Sequence, residues 1–139
     1  MLVFENDYLI CEINEDDSVL MHRWLKRPSS SEFREGLGFI LIEYKNLKSQ
    51  FKELKWLADT ELLGELSEAD ETWLTSVWDR MIFEEAGVKF HAVVLGSDIF
   101  ADYPMDIFKK SSSQKFNEKG VKLGVFPDKN RAYEWLKNQ

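Results

Sequence analysis

The sequence predicts an α/β fold in which a single domain, residues 1–139, holds a mixed, mostly parallel five-stranded sheet between layers of helix. The main observation is a strand (Leu54–Asp59), a loop, a long helix (Ser67–Ala86) and a second strand (Val88–Leu95) in direct succession. A unit of this length closes as a right-handed crossover between two parallel strands. Helices and strands alternate again after it, which is typical of a mainly parallel sheet covered by helices.

An N-terminal β-hairpin precedes this unit. Tyr8–Asn14 and Val19–Trp24 are rich in residues that favour strands, and the short acidic turn Glu15–Ser18 joins them. Two such runs around a polar turn predict an antiparallel pair, which makes the sheet mixed. The three acids of the turn are interpreted as a solvated surface, with a cation site as the alternative.

The first helix begins after Pro28. Ser29 and Glu32 have the spacing of a capping box, in which side chains satisfy free backbone donors at a helix start. Apolar residues then recur every three or four positions and predict one buried stripe. The stripe comprises Phe33, Leu37, Ile40, Leu41, Tyr44 and Leu47. Gly36 and Gly38 interrupt it, which indicates close packing on the sheet or, alternatively, close approach of a ligand.

The second helix has Ser67 as its predicted N-cap and Gly87 as its stop. Its predicted buried stripe is Leu74, Val77, Trp78, Met81, Ile82 and Ala86. Further along, the sequence predicts a short turn at Ile99–Asp102, a helix from Pro104 to about Ser112 and a strand at Val121–Phe126. Pro127-Asp128 caps a last helix. The predicted order is therefore a hairpin followed by αβαβαβα.

Composition excludes several classes of function. A net charge of −7 and a pI near 4.9 argue against nucleic-acid binding, which requires a basic surface. Neither a signal peptide nor an apolar run long enough for a membrane span is visible, so the expected location is cytoplasmic. Cys11, His22 and His91 lie in predicted strands without metal-ligand spacing, and are expected in the core. No cofactor is predicted.

Three predicted parallel strands end in acidic dipeptides, at Asp59-Thr60, Ser97-Asp98 and Pro127-Asp128. Ligands of open parallel sheets favour the crevice beyond the carboxyl ends of the strands. A divalent-cation or phosphoryl site is one interpretation, but Asp98 and Asp128 are each explained as helix caps, and the sequence predicts no metal site.

Two other features remain open between a structural and a functional interpretation. Trp73 and Trp56, with neighbouring apolar residues, belong either to the core or to an apolar pocket or docking patch. The neighbours are Leu62, Leu63, Leu66 and Phe100. The lysine-rich segment 109–122 is either a solvated surface or the seat of an anionic ligand or acidic partner.

The element order over Tyr8–Leu136 resembles the STAS fold of the anti-sigma-factor antagonists (SpoIIAA-like domains) and related STAS/Sec14-like bacterial proteins. The segments that carry the resemblance are Trp56–Thr60, Leu66–Asp70, Ala86–Lys89 and Ala132–Leu136. The resemblance implies a small, cytoplasmic, non-catalytic module that binds partner proteins, nucleotides or apolar ligands. In the signalling branch a phosphorylatable serine lies in an Asp-Ser-Ser-Gly loop. The matching region here is Asp59–Ser67. It has an Asp at the strand end, Gly64 in the loop and Ser67 at the helix start, but it lacks the Asp-Ser-Ser-Gly motif.

From this resemblance we expect a regulatory or protein-interaction module that docks its partner through Thr60–Leu66, the following helix start and the turn Ser97–Tyr103. Ser67 is the first candidate phosphosite, and the alternative is that it serves only as the N-cap of its helix. Thr60 is the second candidate phosphosite. The expected binding residues are Asp59, Leu62, Leu63, Trp73, Ser97, Asp98 and Phe100. A small apolar, lipid or nucleotide ligand in the strand-end crevice is the alternative function, and a homodimer remains open.

Overall fold

The computed structural model describes residues 1–95 and 120–139 and has an α/β architecture with a six-stranded mixed sheet. The strands stand in the sheet in sequence order. They are β1 (Leu2–Glu5), β2 (Leu9–Asn14), β3 (Val19–Trp24), β4 (Lys55–Asp59), β5 (Phe90–Val94) and β6 (Lys122–Phe126). The first three are antiparallel neighbours, whereas β3 to β6 are parallel. The predicted mixed, mostly parallel sheet is confirmed.

The prediction of five strands is wrong, because Leu2–Glu5 adds a sixth at the edge. This strand has only four residues, and its pairing with β2 is irregular between Leu2 and Phe4. A β-bulge of this kind is common at sheet edges and bends the edge strand. Such a short, bulged strand leaves no alternating pattern for sequence reasoning to detect.

Helices cover the two faces of the sheet unequally. Helix α1 (Ser30–Leu47) and helix α2, which starts at Glu68, pack on one face, where they share a core with β2, β3 and β4. Helix α3 (Lys129–Lys137) lies on the other face and packs mainly against β5, β4 and β6. The predicted helix from Pro104 to about Ser112 lies outside the described residues.

Helix α1 follows its sequence prediction closely. The capping box is complete, since the Glu32 amide donates to the Ser29 hydroxyl and the Ser29 amide donates to the Glu32 carboxylate. The two glycines differ. A Cβ at Gly36 would lie 2.9 Å from a methyl group of Leu9, whereas a Cβ at Gly38 would meet nothing within 4 Å. Close packing therefore explains Gly36 only.

Helix α2 is wound differently from the prediction. After an α-helical start at Glu68–Trp73 it continues with π-type hydrogen bonds over Leu74–Trp78 and Arg80–Glu85. Bonds from residue i to i−5 place side chains five apart above one another, so Trp73 and Trp78 stack with ring centroids 5.9 Å apart. Val77, predicted to be buried, is 42% exposed. The predicted end of the helix at Gly87 is confirmed, because Gly87 has φ +73° directly after the C-cap Ala86.

Candidate functional site

The carboxyl ends of the parallel strands meet at one edge of the sheet, as predicted. Asp59 is the register partner of Val94, and Val94 is the partner of Phe126. Asp59 is buried, and one of its carboxylate oxygens accepts a 3.1 Å hydrogen bond from the Glu61 amide. Asp128 follows β6 by two residues and caps α3 by accepting from the Arg131 amide. The candidate residues Ser97, Asp98 and Phe100 lie outside the described residues.

A small cleft of about 150 Å³ opens at this edge, between the starts of α1 and α2. We call it the strand-end cleft. It combines apolar side chains with a polar rim. The lining residues are Arg27, Pro28, Ser30, Phe33, Leu63, Glu65, Leu66, Ser67 and Asp70. Two of the predicted site residues, Leu63 and Ser67, therefore line one cleft, at the place the sequence indicated.

A buried carboxylate joins the two helix starts beside the cleft. One oxygen of Asp70 accepts hydrogen bonds from the Ser30 hydroxyl (2.7 Å) and from Nε of Arg34 (3.1 Å). The Asp70 amide donates to the hydroxyl of the N-cap Ser67. The hydrogen bond from Ser30, supported by Arg34, lowers the pKa of the Asp70 carboxyl below its ordinary value of 3.8. Sequence reasoning took Asp70 only as a favourable charge in the first turn of its helix.

We expect Asp70→Asn to lower the free energy of unfolding by about 1–3 kcal/mol, because a charge-assisted bond to Arg34 is lost at a buried site. Urea denaturation at pH 7 measures the change. Asp128→Asn is the matched control. Asp128 is a partly exposed N-cap, and Asn is an equally good capping residue, so the change there should stay within about 0.5 kcal/mol. Equal losses in the two variants would contradict a special role for Asp70.

The loop that follows β4 is held at both ends. The Thr60 amide and hydroxyl both donate to the Val94 carbonyl, and Nη2 of Arg27 donates to the Glu65 carbonyl at 2.9 Å. Leu63 turns inward and is 6% exposed, whereas Leu62 is 56% exposed. The loop therefore offers Leu62 to solvent on a backbone that is fixed by hydrogen bonds.

Trp73 lies behind the cleft rather than in its lining. It is half-buried, meets the ring of Phe33 edge-on at 6.1 Å and carries the guanidinium of Arg34 over its face at 5.4 Å. Trp56, which the sequence analysis grouped with it, is fully buried in the core. Trp73 supports Arg34 and Phe33, and through them the wall of the cleft.

The two histidines are buried on either side of Trp56. The Trp56 indole N–H donates to Nδ1 of His22 at 2.8 Å, and the Trp56 carbonyl lies 3.0 Å from Nδ1 of His91. Burial lowers the pKa of His22 to about 3, with a further contribution from His91. Burial also lowers the pKa of His91 to about 4. Both rings are neutral at pH 7, and the predicted core location is confirmed.

A second and larger concavity, which we call the hairpin groove, lies on the face that carries α3. It has a volume of about 730 Å³ and runs between the β2–β3 hairpin and α3. Its lining residues are Met1, Glu12, Ile13, Asn14, Glu15, Asp16, Asp17, Val19, Met21, Lys129, Asn130, Tyr133 and Glu134. Sequence reasoning missed this groove. Ile10, Glu12 and Asn14 lie on one face of β2, and two of the three are polar. Such a composition is typical of a strand face without a covering layer.

Comparison of the chain with protein-family models, curated proteins and solved structures finds no match. Within residues 1–95 and 120–139, no group of three or more His, Cys, Asp or Glu side chains is arranged to hold a metal ion. In the same part of the chain, no helix has the length and apolar character needed to cross a membrane.

Proposed function

We propose that this protein is a non-catalytic regulatory or interaction module, similar to the anti-sigma-factor antagonists, that docks a partner protein at the strand-end cleft. The observation that carries the proposal is the pairing of the cleft with Leu62. A large apolar side chain stands 56% exposed on a loop whose next residue, Leu63, lines a cleft of about 150 Å³. The hot spots of protein interfaces cluster around well-packed pockets from which water is excluded, and the cleft with its apolar neighbour offers such a pocket to a partner.

The volume of the cleft favours a protein partner over a small ligand. Ligand pockets usually measure about 300–1,000 Å³, so the cleft is about half the size of the smallest of them. One large side chain of a partner fits the space. Phe33, Leu63 and Leu66 supply apolar contacts to such a side chain, while Arg27 and Glu65 provide a polar rim.

The backbone of the loop supports the same proposal. Hydrogen bonds from Thr60 to Val94 and from Arg27 to Glu65 fix the two ends of the loop, and Gly64 adopts φ +80°, which favours glycine. A surface that is already ordered loses less conformational entropy when it binds, so more of the contact energy appears as affinity.

Ser67 is the position at which modification would alter this surface. It is exposed, it lines the cleft, and its hydroxyl accepts from the Asp70 amide. A phosphate there would add about −1.5 to −2 charge beside the Asp70 carboxylate and would change which partners the cleft accepts. Helix N-termini stabilise anions, so the modified residue is compatible with the start of α2. Thr60 is less accessible, because it is half-buried and its hydroxyl is bonded to Val94.

Site-specific photo-crosslinking in cells of the source organism tests the proposal. A benzoylphenylalanine at Leu62 should crosslink to a small, reproducible set of proteins, and the double variant Arg27→Glu/Glu65→Arg should abolish those species. The matched control places the same probe at Val77, an exposed apolar residue on α2. Intact-mass analysis of the same material reports whether the wild type carries a phosphate that Ser67→Ala lacks.

Two results would count against the docking surface. One is an equal set of crosslinked proteins from the probes at Leu62 and Val77. The other is a set that persists unchanged in the Arg27/Glu65 variant. Leu63 is unsuitable for this test, because it is buried and a charge there would unfold the protein rather than block an interface.

A further inference from the structure

One half of a sheet face lacks a covering helix in the part of the chain that the structure describes. Helix α3 packs over β5, β4 and β6, while the same face of β2 and β3 carries side chains that remain partly open. Glu12 and Met21 are half-buried there, and Arg23 is exposed. The hairpin groove is the space between this open half and the flank of α3.

The end of the groove is firmly built. The Tyr133 hydroxyl on α3 donates to the Asp17 carboxylate in the hairpin turn, 116 residues away in sequence. The Asn14 side chain also accepts from the Asp17 amide at 3.0 Å. The first bond joins the turn to the helix, and the second orders the turn itself.

The charge of the lining is one-sided. Five carboxylates contribute to it, whereas the cations are the Lys129 side chain and the Met1 ammonium, which donates to the Ile13 carbonyl at 2.8 Å. The carboxylates are those of Glu12, Glu15, Asp16, Asp17 and Glu134. Asp17 is engaged by Tyr133, and Glu134 lies 3.9 Å from Nζ of Lys137. Glu12, Glu15 and Asp16 are therefore the carboxylates that the rim offers to a ligand. The floor is different, because the half-buried Met21 gives it an apolar surface above the buried Val19.

We propose that the hairpin groove binds an extended, basic segment of a partner protein, with Lys or Arg on the acidic rim and alternate apolar side chains on Met21. Charge complementarity identifies this occupant, because an acidic wall attracts cations and repels nucleic acid and anionic lipid. Side chains of an extended segment alternate between two sides, which matches an acidic rim above an apolar floor. The surface is separate from the strand-end cleft and does not depend on it.

The test is a nuclear magnetic resonance titration of the full chain with a short, capped peptide of alternating Lys and Val. We expect saturable amide shifts confined to residues 12–21 and 129–134. Glu15→Lys/Asp16→Lys should weaken binding by about tenfold, or about 1.4 kcal/mol. Both residues are exposed in the turn and serve no described hydrogen bond, so the fold should persist. A peptide of alternating Glu and Val should not bind.

The control variant, Glu35→Lys/Glu85→Lys, makes the same change in net charge on exposed residues of α1 and α2. It should alter the affinity by less than about twofold at moderate salt, because exposed charges farther away than a Debye length are screened. Equal weakening in both variants, shifts spread over the whole surface, or absence of saturation at low ionic strength would each overturn the proposal. Preferential binding of anionic vesicles over the peptide would overturn it as well.

Discussion

Lowering the pH from 7 to 5 should reduce the free energy of unfolding by about 4 kcal/mol, because two neutral histidines are buried around Trp56. The pKa values of His22 and His91 in the fold are about 3 and 4, against about 6.5 in an unfolded chain. Between these limits the unfolded state binds more protons than the native state. Stability is therefore fully present above about pH 6.5 and is lost as the pH falls.

The expected slope is about 1.4 kcal/mol per pH unit for each histidine, or about 2.7 kcal/mol for both together. Most domains have a total stability of about 5–15 kcal/mol, so unfolding should begin between about pH 4 and 5. Asp70, whose pKa is lowered by Ser30 and Arg34, adds a loss of the same sign. The loss of stability from Asp70 begins only near pH 3.8, the ordinary pKa of its carboxyl, which is below the pH range in which the histidines act.

Urea denaturation at several pH values between 7 and 4.5 measures this slope. His22→Gln is the most informative variant, since a Gln side chain oxygen can still accept from the Trp56 indole, and the slope should fall by about half. In the folded wild type, the imidazole carbon-bound protons should keep constant chemical shifts down to pH 5. Titration of either ring in the native protein near pH 6 would contradict the assignment of neutral, buried histidines.

Much of the fold could be predicted because its signals are local. The caps at Ser29 and Ser67 need only three residues of sequence, and the hydrophobic periodicity of α1 needs one helix. The mainly parallel pairing of the later strands followed from the alternation of helices and strands along the chain. By contrast, the π winding of α2 exposes Val77 and stacks Trp73 on Trp78, and an assumed α-helical period cannot reveal this.

The contacts that build the candidate sites join residues that are far apart in sequence. Asp70 bonds to Ser30 and Arg34 across 40 and 36 positions, and the Trp56 indole reaches His22 across 34. A pattern read within one helix or strand carries no information about such partners. For this reason sequence reasoning found the location of the strand-end cleft and two of its lining residues, but missed the carboxylate that holds its two helices together.

Trp56→Phe should cost about 3 kcal/mol of unfolding free energy, although it keeps an aromatic ring in the core. Trp56 is fully buried and is enclosed by four rings whose centroids lie 5.5–5.8 Å from its own. These belong to Tyr44, which stacks on it, and to His22, Trp78 and His91, which meet it edge-on. A Phe side chain leaves a void in this packing and removes the indole N–H that donates a hydrogen bond to Nδ1 of His22.

The control is Trp135→Phe on α3, where the ring is half-buried and packs on Phe126, and the expected cost is below about 1 kcal/mol. A second measurement separates the lost hydrogen bond from the void. Because the indole donates to the neutral form of His22, its removal should raise the pKa of that imidazole. The His22 ring should then begin to titrate at a higher pH in the Trp56→Phe protein than in the wild type. If the variant lost stability while the titration of His22 stayed unchanged, packing alone would account for the role of Trp56.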